Sequence, residues 1–149
     1  MPSPACSAGA AEELAHIGPR YPLLEEQHVV FFGYEPSPAE TERAVFQRLS
    51  AARFPAERVR AAPDRVATEA LATVEGLAGR FALHLDVDVI DFVDFPVADI
   101  PQHNAGLTFG EAMICLAVFA GSPRLAALTI TEFNPDHADE EGRLADAFV

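Results

Sequence analysis

The sequence predicts an α/β protein, a three-layer α/β/α sandwich built on a parallel sheet, and three observations carry that expectation. Short runs of aliphatic and aromatic residues alternate with longer stretches whose apolar residues recur at helical spacing. The short runs are apolar at successive positions, as strands buried on both faces are. Cap-forming residues and glycines punctuate the helical stretches at their ends. At 149 residues with half of them hydrophobic, the chain is long enough to bury one proper core.

Residues 1–22 are rich in Pro, Ala, Gly and Ser and read as an irregular leader, with one domain over 23–149. His28–Gly33 is the first strand, a β-branched and aromatic run closed by glycine. SPAETERAVFQRLSAARF follows as a helix, with Ser37 as N-cap, Pro38 at the first helical position and Glu40 three residues after the cap. DRVATEALATVEGLAG is a second helix between an Asp64 cap and a Gly79 stop. Phe81–Val87 is the next strand. A third helix opens at Thr108 and closes near Gly121, and Leu125–Glu132 is the last strand, broken by Asn134 and Pro135. DEEGRLADAFV begins a further helix. Strands alternating with helices imply parallel pairing and right-handed crossovers, with functional groups beyond the carboxyl ends of the strands.

Composition removes several classes of function. The formal net charge is −13 and the ten basic residues are all arginine, so there is no basic face for nucleic acid. No apolar run suits a bilayer span, and the opening MPSPACSAGAAEEL lacks the basic and apolar regions of a signal peptide. Cys6 and Cys115 do not make a disulfide framework. The cytoplasm is the expected compartment.

One stretch breaks the pattern of buried strands. HLDVDVIDFVDFP, from His84 to Pro96, sets Asp86, Asp88, Asp91 and Asp94 among apolar residues, and an ionised carboxylate is costly to bury without a cation or donors. Asp86 and Asp88 fall at the carboxyl end of a strand, where side chains two apart point to one side. Glu132 ends the last strand, so three carboxylates are expected to face one crevice. Two aspartates at this spacing can hold a divalent cation through oxygen, but the same spacing also serves turns and caps.

The longer series is more specific. HLDVDVID, then NAGLTFGEA, then TEFNPDHAD, in that order, resembles the C-terminal part of the ureohydrolase family, which includes arginases, agmatinases and formimidoylglutamases. The resemblance covers about residues 80–140. It implies an arginase-like fold and hydrolysis of a C–N bond in a linear guanidine or amidine by a pair of metal ions, usually manganese, with a bridging hydroxide. In that reading Asp86 and Asp88 are metal ligands and Glu132 pairs with a small cationic guanidinium or amidinium substrate. Asp91 is a supporting or loop-fixing residue, and His84 packs in the core beside the site.

The departures matter too. Asp91 is followed by Phe92 where the family has proline, His84 stands where serine is common, and Ala105 replaces one glycine of a pair. The family's Gly-Gly-Asp-His and Asp-Ala-His-x-Asp segments are absent, and His16, His28 and His103 lie in unlike contexts. His137 and Asp139 read as solvated loop residues. The chain thus reads as a fragment holding about half of the metal ligands. The alternative is a catalytically inactive, truncated or degenerate family member that serves as a binding domain with a residual acidic cation site. An apolar edge is expected to lie open at Val29, Val30, Phe31 and Phe32, and a homo-oligomer could cover it.

Overall fold

In a computed structural model the chain is described over residues 16, 18–36, 40–98 and 105–137. The element order is β1 (Val30–Phe32), α1 (Glu40–Arg48), β2 (Ala52–Phe54), α2 (Ala56–Ala61), α3 (Pro63–Leu77), β3 (Phe81–Asp86), α4 (Phe109–Ala120) and β4 (Leu125–Thr131). Short 3-10 turns cover Glu26–His28, Val87–Val89 and Pro135–His137. The class is the expected one, α/β with every strand pairing parallel. The expected cap at Ser37, the final helix, Cys6, His103 and Asp139 lie outside the described residues.

The topology differs from a single sheet. Among the described residues β1 pairs only with β2, and β3 only with β4, in two separate two-stranded sheets. Three expected boundaries also move. The first strand starts at Val30, because His28 belongs to a 3-10 turn. The helix read through to Phe54 stops at Arg48, and Ala52–Phe54 is a strand. Where the helix ends, the Arg53 guanidinium turns back to donate to the carbonyls of Phe46 and Leu49, and the Phe46 carbonyl also accepts from the Leu49 amide. The backbone of Ala52–Phe54 then finds partners in β1, register Val30↔Ala52 to Phe32↔Phe54.

Helix α3 is capped at Ala62 with Pro63 at its start, so Asp64 lies inside the first turn and is not the cap. Its far end is at Leu77, before Gly79. Helix α4 matches the sequence reading. Thr108 Oγ1 accepts from the Glu111 amide at 3.2 Å and Glu111 Oε2 accepts from the Thr108 amide at 2.8 Å, a reciprocal capping box.

The core forms where α3, α4 and the loop after β3 meet. Ile90, Leu107, Val59, Val66, Val87 and Val97 are its largest fully buried side chains. Helix α3 packs on β1, β2 and α4. The expectation that all three strand runs are buried on both faces fails for β4, where only Leu125 is half-buried and Ala126 to Thr131 are exposed. Val29 to Phe32 are half-buried instead of open. The uncovered apolar surface is therefore at the opposite end from the one expected.

Candidate functional site

The three carboxylates are brought together by parallel pairing. The β3–β4 register places Asp86 opposite Thr131, so Glu132 follows directly beside the end of β3. Glu132 has a φ of 57°, a left-handed conformation that cannot continue the extended strand, which ends at Thr131. Asp88 does not continue the strand as the i, i+2 reading supposed. It sits in the 3-10 turn Val87–Val89, and its amide donates to Asp86 Oδ1 at 3.3 Å. The pair meets through a turn, and Asp86 serves as its cap.

The electrostatics follow from this placement. The Asp88 carboxyl is pushed up to about 6, first by burial, then by a hydrogen bond and charge from Asp86, and by the charge of Glu132. The native state therefore holds this proton more tightly than the unfolded chain does. Its contribution to stability is complete below about pH 4 and is lost as pH rises through about 6. After discounting for solvent at a half-exposed carboxylate, the effect is about 1 kcal/mol. Asp88→Asn is accordingly expected to be more stable than the parent at pH 8 by about that amount, with the gap closing toward pH 4. Urea midpoints measured across that range check it, and a gap that widens on acidification would contradict it.

Around the carboxylates the loops are held closely. Asp91 Oδ1 accepts from the Val93 amide at 2.9 Å, and the Asp91 carbonyl accepts from Asp94 and Phe95. Asp94 Oδ2 accepts from the Phe109 amide at 2.6 Å, tying this loop to the start of α4. His84 is not a core residue. It is exposed, with Nδ1 2.8 Å from Thr129 Oγ1 and Nε2 3.3 Å from Thr131 Oγ1. The reading as a core histidine fails because nothing among the described residues covers that face of β3 and β4.

His137, read as solvated, is exposed but fastened. Its Nδ1 lies 2.8 Å from the Ala98 carbonyl and its ring meets Phe92 edge-on. Sequence reasoning named Asp94 without giving it a role, and it passed over the two threonines and Arg60, which bonds Glu35 and the Gly106 carbonyl. Only the threonines carried a usable signal, since Thr129 and Thr131 alternate on a strand read as parallel to His84.

The fit of these residues to manganese is partial. Asp86, Asp88 and Glu132 supply carboxylate oxygens, but no group of three or more His, Cys, Asp or Glu among the described residues is arranged to hold a metal ion. The described donors do not make a complete two-metal centre, which needs several anionic and imidazole ligands.

A parallel α/β fold with carboxylates gathered at the ends of neighbouring strands is of the arginase-like fold class. The sequence profile of the arginase family matches residues 14–149. The chain belongs to that family. Among solved structures, it is similar to the native arginase of Bacillus caldovelox, at 24% identity and a TM-score of 0.81, covering 96% of this chain and 48% of that one. It is similar to the Entamoeba histolytica arginase in complex with L-ornithine, at 21% identity and TM-score 0.75, covering 94% and 47%. Similarity to the formimidoylglutamase of Bacillus subtilis is 21% identity and TM-score 0.68, covering 81% and 39%. The chain thus spans about half the length of these relatives or less. No curated protein matches it. No described helix is long and apolar enough to cross a membrane.

Proposed function

We propose that the chain carries the carboxylate part of a ureohydrolase site, which binds the cationic head of a linear guanidine or amidine and does not by itself hydrolyse it. The observation that supports this reading is the gathering of Asp86, Asp88 and Glu132 at the ends of two adjacent parallel strands. A carboxylate and a guanidinium make a charge-assisted, often bidentate pair, and Glu132 is half-buried, directly after the end of β4. Asp86 and Asp88 are the proposed manganese ligands, with Asp91 and His84 in supporting positions. Two manganese ions, where the ligand set is complete, supply an acidified water as nucleophile. Here the described donors stop short of that set, and attraction without an activated nucleophile binds without turnover.

The test uses the whole chain with manganese chloride. Arginine, agmatine and formimidoylglutamate are each expected to yield no urea or ammonia. Agmatine is expected to bind weakly, with binding lost in Glu132→Gln. Two tightly held manganese ions per chain, or turnover abolished by Asp88→Ala, would return the chain to the competent enzymes. Agmatine binding unchanged by Glu132→Gln would remove Glu132 from the site.

A further inference from the structure

Arg60 belongs to the half of the molecule that carries β1 and β2, yet its guanidinium reaches the loops of the carboxylate site. It lies in the last turn of α2, beside the fully buried Val59, so its backbone is firmly held. One nitrogen, Nη1, donates both to Glu35 Oε1 at 2.7 Å and to the Gly106 carbonyl. Glu35 follows β1, in a loop that is fixed as well. The Gly33 amide donates to the Phe54 carbonyl at 2.8 Å, and the Ala56 amide donates to the Tyr34 carbonyl at 2.9 Å. The ion pair thus aims the guanidinium, and the Gly106 carbonyl is what it meets.

Covalent geometry carries that contact to the site. The Gly106 carbonyl and the Leu107 amide are the two ends of one planar peptide group. The Leu107 amide donates to the Val89 carbonyl at 2.8 Å, and Val89 closes the turn that carries Asp88. The next carbonyl, that of Leu107, accepts from the Asp91 amide at 2.8 Å. A rotation of the Gly106–Leu107 peptide plane would break the bond to Val89 and release the turn. Gly106 has a φ of 94°, and glycine itself does little to restrain such a rotation. A charged donor on the carbonyl end opposes it, and charge-assisted bonds are the stronger ones.

We propose that Arg60 is a positioning residue of the carboxylate site, which locks the Gly106–Leu107 peptide and through it the turn bearing Asp88. The β1–β2 half then acts on the site from a distance, with one arginine as its reach. The consequence for metal binding rests on the reading of Asp88 as a manganese ligand; the hold on the turn does not.

Two variants of the full chain separate the carbonyl bond from the ion pair. Glu35→Gln removes the charge pair and leaves Arg60 able to donate to Gly106. Arg60→Met keeps an unbranched stem at an exposed position and removes both contacts. Amide hydrogen exchange is read at Leu107 and Asp91, with the amides of α3 reporting global opening. In Arg60→Met, protection at Leu107 and Asp91 should fall about tenfold with α3 unchanged, as for the loss of one hydrogen bond to a charged group. In Glu35→Gln the fall should stay under about threefold, the weight of an exposed ion pair. Manganese chloride is then titrated against both, read as broadening of the Asp88 and Val89 amide signals. Affinity should drop about tenfold in Arg60→Met, the low end for residues that orient metal ligands, and stay near the parent's in Glu35→Gln. A merely structural ion pair would affect both variants alike. Equal exchange in the two variants, lost protection that extends to α3, or Arg60→Met binding manganese as the parent does overturns the proposal. If manganese broadens no signal at the turn in the parent, the ligand reading of Asp88 fails, and the exchange comparison alone decides whether Arg60 holds the turn.

Discussion

Gly106→Ala is expected to destabilise the protein by about 3–5 kcal/mol, the sum of a left-handed backbone penalty and lost main-chain hydrogen bonds. Gly106 has a φ of 94°, and a Cβ there would lie 2.5 Å from the Val89 carbonyl oxygen and 3.2 Å from the Asp91 amide. Those are the groups that join the two site loops. The Leu107 amide donates to the Val89 carbonyl and the Asp91 amide donates to the Leu107 carbonyl, each at 2.8 Å. An alanine must push this backbone apart, and no flexible side chain is available to yield. The turn carrying Asp88 and Asp91 would move with it. Gly110, in α4 with nothing within 4 Å of its Cβ position, is the control. Gly110→Ala, in the first turn of α4, should be neutral or stabilising by up to about 0.5–1 kcal/mol, the difference in helix propensity. Urea unfolding of both variants decides it, and a Gly106→Ala loss under about 1 kcal/mol would show that the loops yield more readily than their bonds imply.

Phe95→Ala should cost a similar amount, about 3–5 kcal/mol, the usual range for truncating a buried phenylalanine. Phe95 is 2% exposed and stacks on Phe109 with ring centroids 4.4 Å apart. Its amide donates to the Asp91 carbonyl at 2.9 Å. The ring therefore pins the loop after β3 against the first turn of α4, beside the Asp94–Phe109 bond. For a chain of this size the loss corresponds to a fall of roughly 10–15 °C in the thermal midpoint. Phe95→Leu, which refills most of the volume, should lose about a third as much. Calorimetry that finds the two variants equal would mean the ring's shape does not matter there.

Much of this was legible from residues alone. Helix α4 followed from Thr108 and Gly121, because capping is chemistry local to the chain. The carboxylate cluster followed from strand ends in a parallel arrangement. Strand β2 did not, since Ala51 and Ala52 extend the apolar spacing of α1 past the helix end, where Arg53 reaches back to Phe46 and Leu49. The turn at Asp88 was hidden because i, i+2 residues share a side only while the backbone stays extended. The surroundings of His84 and the openness of β4 depend on what lies across the sheet, which no local pattern encodes.

The separation of the two strand pairs bears on how the chain assembles. With no ladder between β2 and β3, the pairs are joined by side chains, chiefly the fully buried stripe of Val66, Ala67 and Ala70 on α3. A fluctuation that parts them breaks apolar contacts and a few side-chain hydrogen bonds, such as that of Arg60 to the Gly106 carbonyl, but no strand ladder. Each pair must also close its own loop. That from Asp86 to Thr131 is about twice as long as that from Val30 to Ala52, a difference in closure entropy of only about 0.6 kcal/mol. Neither pair has a decisive head start from loop closure, and the two halves join where α3 docks on α4.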